Sequence, residues 1–230
     1  MKRALSDSVA AALTGALILL AGSARAELDA RLTIASAYLH RGLEHSRSAP
    51  TYQGALEYQA GGWFAGVWAS SVSFGGYDER SSEIDYYLGY GKRLSKNLAL
   101  DATLVRYTFQ GSSPRDYDWN ELQLSAYLGD RWTLTWGVAE NWWATDQRTR
   151  FVEGTFLHPL PGGLVLDTTV GYQLAERAAG LDYGYAEAGV SRRLDDFVLR
   201  VGYAAVESNA HRRFPAFADD RWLVALSWQR

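Results

Sequence analysis

The stretch "NELQLSAYLG", Asn120 to Gly129, alternates residue by residue. Leu122, Leu124, Ala126 and Leu128 fall on one face, and Glu121, Gln123, Ser125 and Tyr127 on the other. Successive side chains of a strand point to opposite faces, so a period of two with one apolar set reads as a β-strand. "SEIDYYLGYGKRL", from Ser82, repeats the pattern, with Ile84, Tyr86, Leu88 and Tyr90 against Glu83, Asp85, Tyr87 and Gly89. "RWLVALSWQR" repeats it less cleanly, with Trp222, Val224, Leu226 and Trp228 on the apolar side.

The links between such segments alternate in length. Short ones fall at Gly61-Gly62, Ser95-Lys96-Asn97, Gly129-Asp130, Pro161-Gly162-Gly163 and Asp195-Asp196, all residues that tolerate tight turns. Longer polar links fall near Glu44 to Ala49, Gly75 to Ser81, Gly111 to Tyr117, Thr145 to Arg148, Glu176 to Leu181 and Ser208 to Asp219. Five short and six long links join about twelve strands and leave both chain ends on the short-turn side, the arrangement of an outer-membrane barrel. The expected fold is all-β, a closed antiparallel transmembrane β-barrel over 27–230 with short periplasmic turns and longer external loops. A soluble β-sandwich also buries one face of each sheet, but it has no reason to alternate short and long links.

The first 26 residues begin with Lys2 and Arg3, run apolar from Val9 to Ala21 and end Ala24-Arg25-Ala26, which reads as a cleaved secretory signal peptide. Its loss, three bases and one acid, moves the formal charge from −3 to −5, so nucleic acid is not an expected partner. With no cysteine, neither disulfides nor thiolate metal sites are available. The expected location is the outer membrane of a Gram-negative bacterium, with membrane lipid, lipopolysaccharide, the barrel-assembly machinery and small polar solutes as partners.

If the apolar sets face lipid, the other sets face inward: Gln53, Glu57, Glu83, Asp85, Asp101, Glu121, Gln123, Glu153, Asp167, Glu187, Arg193, Arg200 and Arg221. In "RLTIASAYLHRG" the same alternation sends Leu32, Ile34, Ser36, Tyr38 and His40 outward and Thr33, Ala35, Ala37, Leu39 and Arg41 inward, with Gly42 leaving for the first external loop. Arg41 then faces Glu83, Asp85, Glu121 and Glu153 in the outer half of the lumen, one cation against several carboxylates. A lumen this charged is wet or mutually paired. A water-filled, weakly cation-preferring conduit and a salt-bridged interior that conducts nothing both remain open at this stage. Two aromatic pairs ten residues apart on one face, Phe64 with Phe74 and Trp132 with Trp142, suggest an apolar band about 25 Å tall.

Four histidines, His40, His45, His158 and His211, lie scattered at spacings that support no metal site and read as solvated loop residues, His40 as a ring at the membrane interface. Asp78, Glu79, Arg212 and Arg213 read as charges that keep the loops solvated. Ser36 and His40 share the expected lipid face but stand four strand residues, about 13 Å, apart, too far for a nucleophile and its base. No enzyme activity and no cofactor is expected.

"LTIASAYLHRGLEHS", "TYQGALEYQAGGWFAGVWASSVSF", "SSEIDYYLGYGKRL" and "LDATLVRYTF" followed by "DWNELQLSAYLG" together resemble the TorF-type porin family of proteobacterial outer-membrane proteins, over nearly the whole chain after the leader. The resemblance implies a β-barrel and an inferred porin role with no specified solute.

Overall fold

A computed structural model describes residues 26–75, 80–111 and 117–230. Residues 1–25, on which the expected leader falls, and Asp78 and Glu79 lie outside the described residues. The wall begins with β1 (Glu27–Ala35). Next come two short strands inside the first long link, β2 (Leu39–His40) and β3 (Leu43–Glu44). The wall continues with β4 (Thr51–Ala60), β5 (Trp63–Ser71), β6 (Ser82–Ser95), β7 (Leu98–Gln110), β8 (Trp119–Leu128) and β9 (Trp132–Glu140). It is completed by β10 (Thr149–Leu160), β11 (Leu164–Leu174), β12 (Tyr183–Leu194), β13 (Phe197–Val206) and β14 (Arg221–Gln229). Two short helices, α1 (Glu176–Ala179) and α2 (Ser208–Arg213), sit in the long links.

Twelve of these strands pair antiparallel with their neighbours, and β1 closes the ring by pairing with both β4 and β14. The short links sit at one end and the long ones at the other, as the alternation of link lengths requires. Outward positions are apolar around the whole ring; Leu32, Leu104, Val170, Trp222 and Leu226 are all exposed. Water does not favour a continuous apolar belt, and hydrocarbon does. Strands of 9 residues (β1) to 14 (β6) are long enough to cross it at a tilt.

Aromatic girdles are present, but they are built from other residues than spacing suggested. At the short-turn end Trp63 pairs with Tyr90, Trp132 with Phe156 and Phe197 with Trp228; at the long-loop end Tyr203 pairs with Trp222. Phe64 and Phe74 are buried inside, and Trp142 lies in a 3₁₀ turn with its ring buried. The ten-residue spacings therefore do not measure the apolar band.

Phe64 points inward because its register partner is Gly89, over which its ring lies. Three further pairs share the device: Phe151 over Gly137, Tyr185 over Gly171 and Tyr87 over Gly66. A ring laid flat on a glycine keeps an inward aromatic against the wall and leaves the axis clear. A methyl at Gly137 would meet Phe151 Cε1 at 2.0 Å, whereas at Gly154 the nearest atom is 3.4 Å away. Gly137→Ala is expected to cost about 1–3 kcal/mol by forcing Phe151 off its seat, and Gly154→Ala to change little. Thermal unfolding of the refolded barrel in detergent compares the two.

Candidate functional site: the lumen and the hairpin that crosses it

The wall strand β1 ends at Ala35. Ser36 makes the next rung with β14 itself: its N–H donates to Val224 O (2.9 Å), and its hydroxyl oxygen accepts the Val224 N–H (3.0 Å) in place of a backbone carbonyl. The chain then turns into the barrel. Alternation along "RLTIASAYLHRG" therefore stops at Ser36, and Tyr38 and His40 are interior residues rather than lipid-facing ones, 0% and 4% exposed. Ser36 and His40 share no lipid face.

Inside, β2 and β3 pair as a hairpin whose two-residue turn, Arg41-Gly42, has both φ angles positive, 50° and 78°. That is the geometry a tight hairpin turn demands and glycine supplies at no steric cost. Space demands glycine as well, since a Cβ at Gly42 would meet Tyr185 Cβ at 2.8 Å. The tip thus rests on β12 and on Val206 at the end of β13, three and two strands round the ring from β1, where the link begins. Glu44 ties down the base. Its carboxylate accepts from Ser46 Oγ (2.9 Å), from the Ser48 backbone N–H and from Arg221 Nη1 (2.7 Å). Backbone bonds from Glu44 N to Phe217 O (2.7 Å) and from Ser73 N to His45 O (2.7 Å) join the hairpin to two other long links.

At the tip, Arg41 reaches the far wall. Its Nη1 donates to Glu121 Oε2 (2.8 Å) and its Nη2 to Glu121 Oε1 (2.5 Å), while the guanidinium carbon sits 3.5 Å from the centroid of the Phe151 ring. Glu121 also accepts from Tyr107 Oη (3.2 Å) and Gln123 Nε2 (2.8 Å), and Glu153 from Tyr185 Oη (3.0 Å). Burial works against the guanidinium charge, but Glu121 more than offsets it, so Arg41 holds its proton above its ordinary range.

His40 stacks on His45 with ring centroids 5.5 Å apart, and both are buried. They are not solvated loop residues. His45 Nδ1 lies 3.1 Å from Glu83 Oε2; neither ring nitrogen of His40 has a hydrogen-bond partner. Burial pushes His40 well below its ordinary pKa of 6.5, and the charges of Arg41 and His45 push the same way. His211 instead pairs with Asp220 (3.2 Å). No group of three or more His, Asp or Glu among the described residues is arranged to hold a metal.

Around the hairpin, the long-loop half of the barrel is packed. Tyr107 stacks on Trp119 at 4.5 Å, and Leu43, Trp142, Ala179, Ala210 and Ala218 from the links pack into the same cluster. Asn141, Trp143, Ala144 and Asp146 all have positive φ, a strained turn that brings Trp142 and Trp143 onto this cluster. Arg80 lies over Tyr117 (4.0 Å) and Phe74 (4.4 Å).

The short-turn half is polar. Arg200 donates through Nε to both oxygens of Asp167 (3.0 and 3.1 Å) and pairs through Nη1 with Glu187 (2.5 Å). Glu57 accepts from Tyr87 Oη (2.9 Å) and Gln59 Nε2 (2.8 Å), and Asp101 from Tyr127 Oη (2.6 Å). Hydroxyl pairs such as Thr33–Ser227 (2.8 Å) and Thr155–Thr169 (3.0 Å) line the rest.

The residues named from alternation on the wall strands, Glu57, Glu83, Asp85, Glu121, Gln123, Glu153, Asp167, Glu187 and Arg200, are buried in this interior, with Gln53, Asp101 and Arg221 partly so. Arg193 is exposed at the short-turn rim, bonded to Gln229 Oε1 (2.7 Å), and Arg212 and Arg213 are exposed in α2 and its end. Arg41 reaches the interior from the hairpin rather than from strand one. Tyr107, Phe151 and Tyr185, which complete its surroundings, carry no polar alternation signal; a glycine at the register partner of Phe151 and of Tyr185 is the trace they leave. Among the described residues, eight buried carboxylates meet two buried arginines, Arg80 and Arg200, and the Arg41 guanidinium. The interior is acidic.

A model of the family described as "Bacterial protein of unknown function (Gcw_chp)" matches residues 21–228. No curated protein matches the chain in sequence. Among solved structures, one described as "Unveiling the Mechanism Behind the in-meso Crystallization of Membrane Proteins" is similar at a TM-score of 0.56 and 9% identity, covering 88% of this chain and 83% of that one. The KdgM porin is similar at 0.54 and 8% identity, covering 89% and 98%. The KdgM porin in complex with disordered oligogalacturonate is similar at 0.53 and 7%, with the same coverage. At these identities the likeness is one of fold.

Proposed function

The chain belongs to the Gcw_chp family of bacterial proteins of unknown function, and we propose that it is an outer-membrane channel for small polar solutes, held shut in this conformation by its own β2–β3 hairpin. The observation that carries this reading is an acid-lined closed barrel crossed from wall to wall by a segment of its first long link. A purely structural barrel has no need to bury carboxylates at several kcal/mol each. A conduit gains selectivity from them.

In this reading Arg41, Gln53, Glu57, Glu83, Asp85, Asp101, Glu121, Gln123, Glu153, Glu187 and Arg200 line the path. The protein acts as a conduit and not as an enzyme. Lipid and lipopolysaccharide surround the apolar belt, the barrel-assembly machinery inserts the chain, the leader is cleaved on export, and kinship with TorF-type porins follows. KdgM is described with oligogalacturonate, a polyanion; an acidic interior suits cations instead.

A second reading, a barrel that conducts nothing, is favoured by the apolar packing of the long-loop half. Planar-bilayer recording of the refolded protein separates the two. Discrete current steps, sparse at neutral pH and with a cation-preferring reversal potential, are expected for the channel. Anion-preferring steps contradict an acid-lined path.

Acid pH should open it. His40 faces Arg41 and His45 on its own hairpin, Tyr107 on β7 and Trp119 on β8, with Glu83 reached through His45 and Glu121 through Arg41. Docked, it binds a proton less readily than when the hairpin swings into water. The docked state therefore keeps its full stability above the ordinary pKa of 6.5 and loses it as pH falls below that value. One such proton changes the open-to-closed ratio by up to about tenfold per pH unit. Open probability compared at about pH 7.5 and about pH 5.5 should rise in acid for the wild type and stay flat for His40→Phe. A wild type that is equally closed at both values removes His40 from the gate.

A further inference from the structure

The Arg41 guanidinium occupies a seat that the barrel wall builds without any help from the hairpin. Glu121 on β8 offers both carboxylate oxygens, and it is itself held by Tyr107 Oη and Gln123 Nε2. Phe151 on β10 offers its ring face at 3.5 Å and is pinned there by Gly137. On β6, two strands round the ring from β8, Glu83 Oε1 and Asp85 Oδ1 are buried with no hydrogen-bond partner, so acceptor oxygens on this side of the lumen are left over after Arg41 and His45 are counted. A planar cation that donates two parallel N–H bonds and stacks on an aromatic face fits this seat; a compact ammonium satisfies only its charge.

We propose that the lumen takes guanidinium-bearing cations as its solute class and that Arg41 is a tethered stand-in for them, held at the seat by the hairpin until a solute competes it away. This rests on the reading of the lumen as a solute path and names the solute. A tether this short gives Arg41 an effective concentration in the millimolar range, so free solute competes at the millimolar level or when the hairpin has swung out.

The test is binding to the refolded protein in detergent, which does not require conduction. Arg41→Ala vacates the seat. Millimolar agmatine, a guanidinium, should raise its unfolding temperature saturably, with putrescine, the corresponding diamine, about tenfold weaker. Arg41→Ala/Glu121→Gln should show neither response. If Arg41→Ala does not refold, agmatine added during refolding should restore its yield and putrescine should not. Equal responses to the two amines, no response in either assay, or a response that survives Glu121→Gln overturns the proposal. Agmatine binding in a protein that never conducts keeps the seat and sinks the channel; conduction without agmatine binding does the reverse.

Discussion

Replacing Arg200 by Ala is expected to cost the barrel about 3–5 kcal/mol, because it strands Asp167 and Glu187 in the interior without their cation. The guanidinium is 2% exposed, and the wall has made room for it. Gly189 and Gly202 are register partners, and a Cβ on them would stand 2.5 Å from Arg200 Cζ and 2.9 Å from Nη1. The penalty comes from uncompensated charge rather than lost packing. Arg200→Met with Asp167→Leu and Glu187→Leu should therefore recover most of the stability, since a well-packed apolar set of similar volume replaces a buried ion cluster at little cost. Thermal unfolding in detergent, read by the heat-dependent shift in gel mobility, gives both values. An Arg200→Ala barrel within about 1 kcal/mol of wild type, the scale of an exposed ion pair, would mean that water already reaches these carboxylates, and the closed interior described above would have to be redrawn.

The wall of this protein is legible in its sequence because strand alternation and turn chemistry are local. Leu122, Leu124 and Leu128 against Glu121, Gln123 and Ser125 fix the faces of β8, and glycine and asparagine mark the short turns. The hairpin is not legible in the same way. Alternation runs on unbroken through Ser36, Tyr38 and His40, and only the Ser36 hydroxyl, which takes a rung from Val224 far along the chain, ends the ladder. The trace it left was small: Arg41-Gly42 between Leu39-His40 and Leu43-Glu44, a turn pair that can take positive φ flanked by equal short arms. Aromatic direction was misread for a related reason. In Trp63-Phe64 either ring can face lipid, and the choice is made by the register partner, Tyr90 for one and Gly89 for the other. His40 and His45 appeared solvated because a link rich in His, Arg and Glu reads as surface. Here His45 pairs with Glu83 and Arg41 with Glu121 on the wall, which offsets the cost of burying them, and His40 is buried against them by stacking on His45.

The account depends most on the hairpin being the closure. Removing it produces the largest functional change expected, because it takes away Arg41 from the acidic seat, Leu43 from the apolar cluster and the His40–His45 stack from the axis together, and leaves the twelve wall strands and their register untouched. The decisive measurement is single-channel current through refolded wild type and through a chain in which Leu39–Glu44 is replaced by a Gly-Ser link, in the same bilayer and salt gradient. The wild type should be closed most of the time at neutral pH. The shortened chain should show persistent, cation-preferring steps, with open probability raised at least about tenfold, the equivalent of about 1.4 kcal/mol of lost closure. A shortened barrel that folds, migrates as a heat-modifiable species and passes no more current than wild type would contradict the account: the aromatic packing of the long links would then seal the barrel by itself, and the hairpin would be part of a plug rather than a gate.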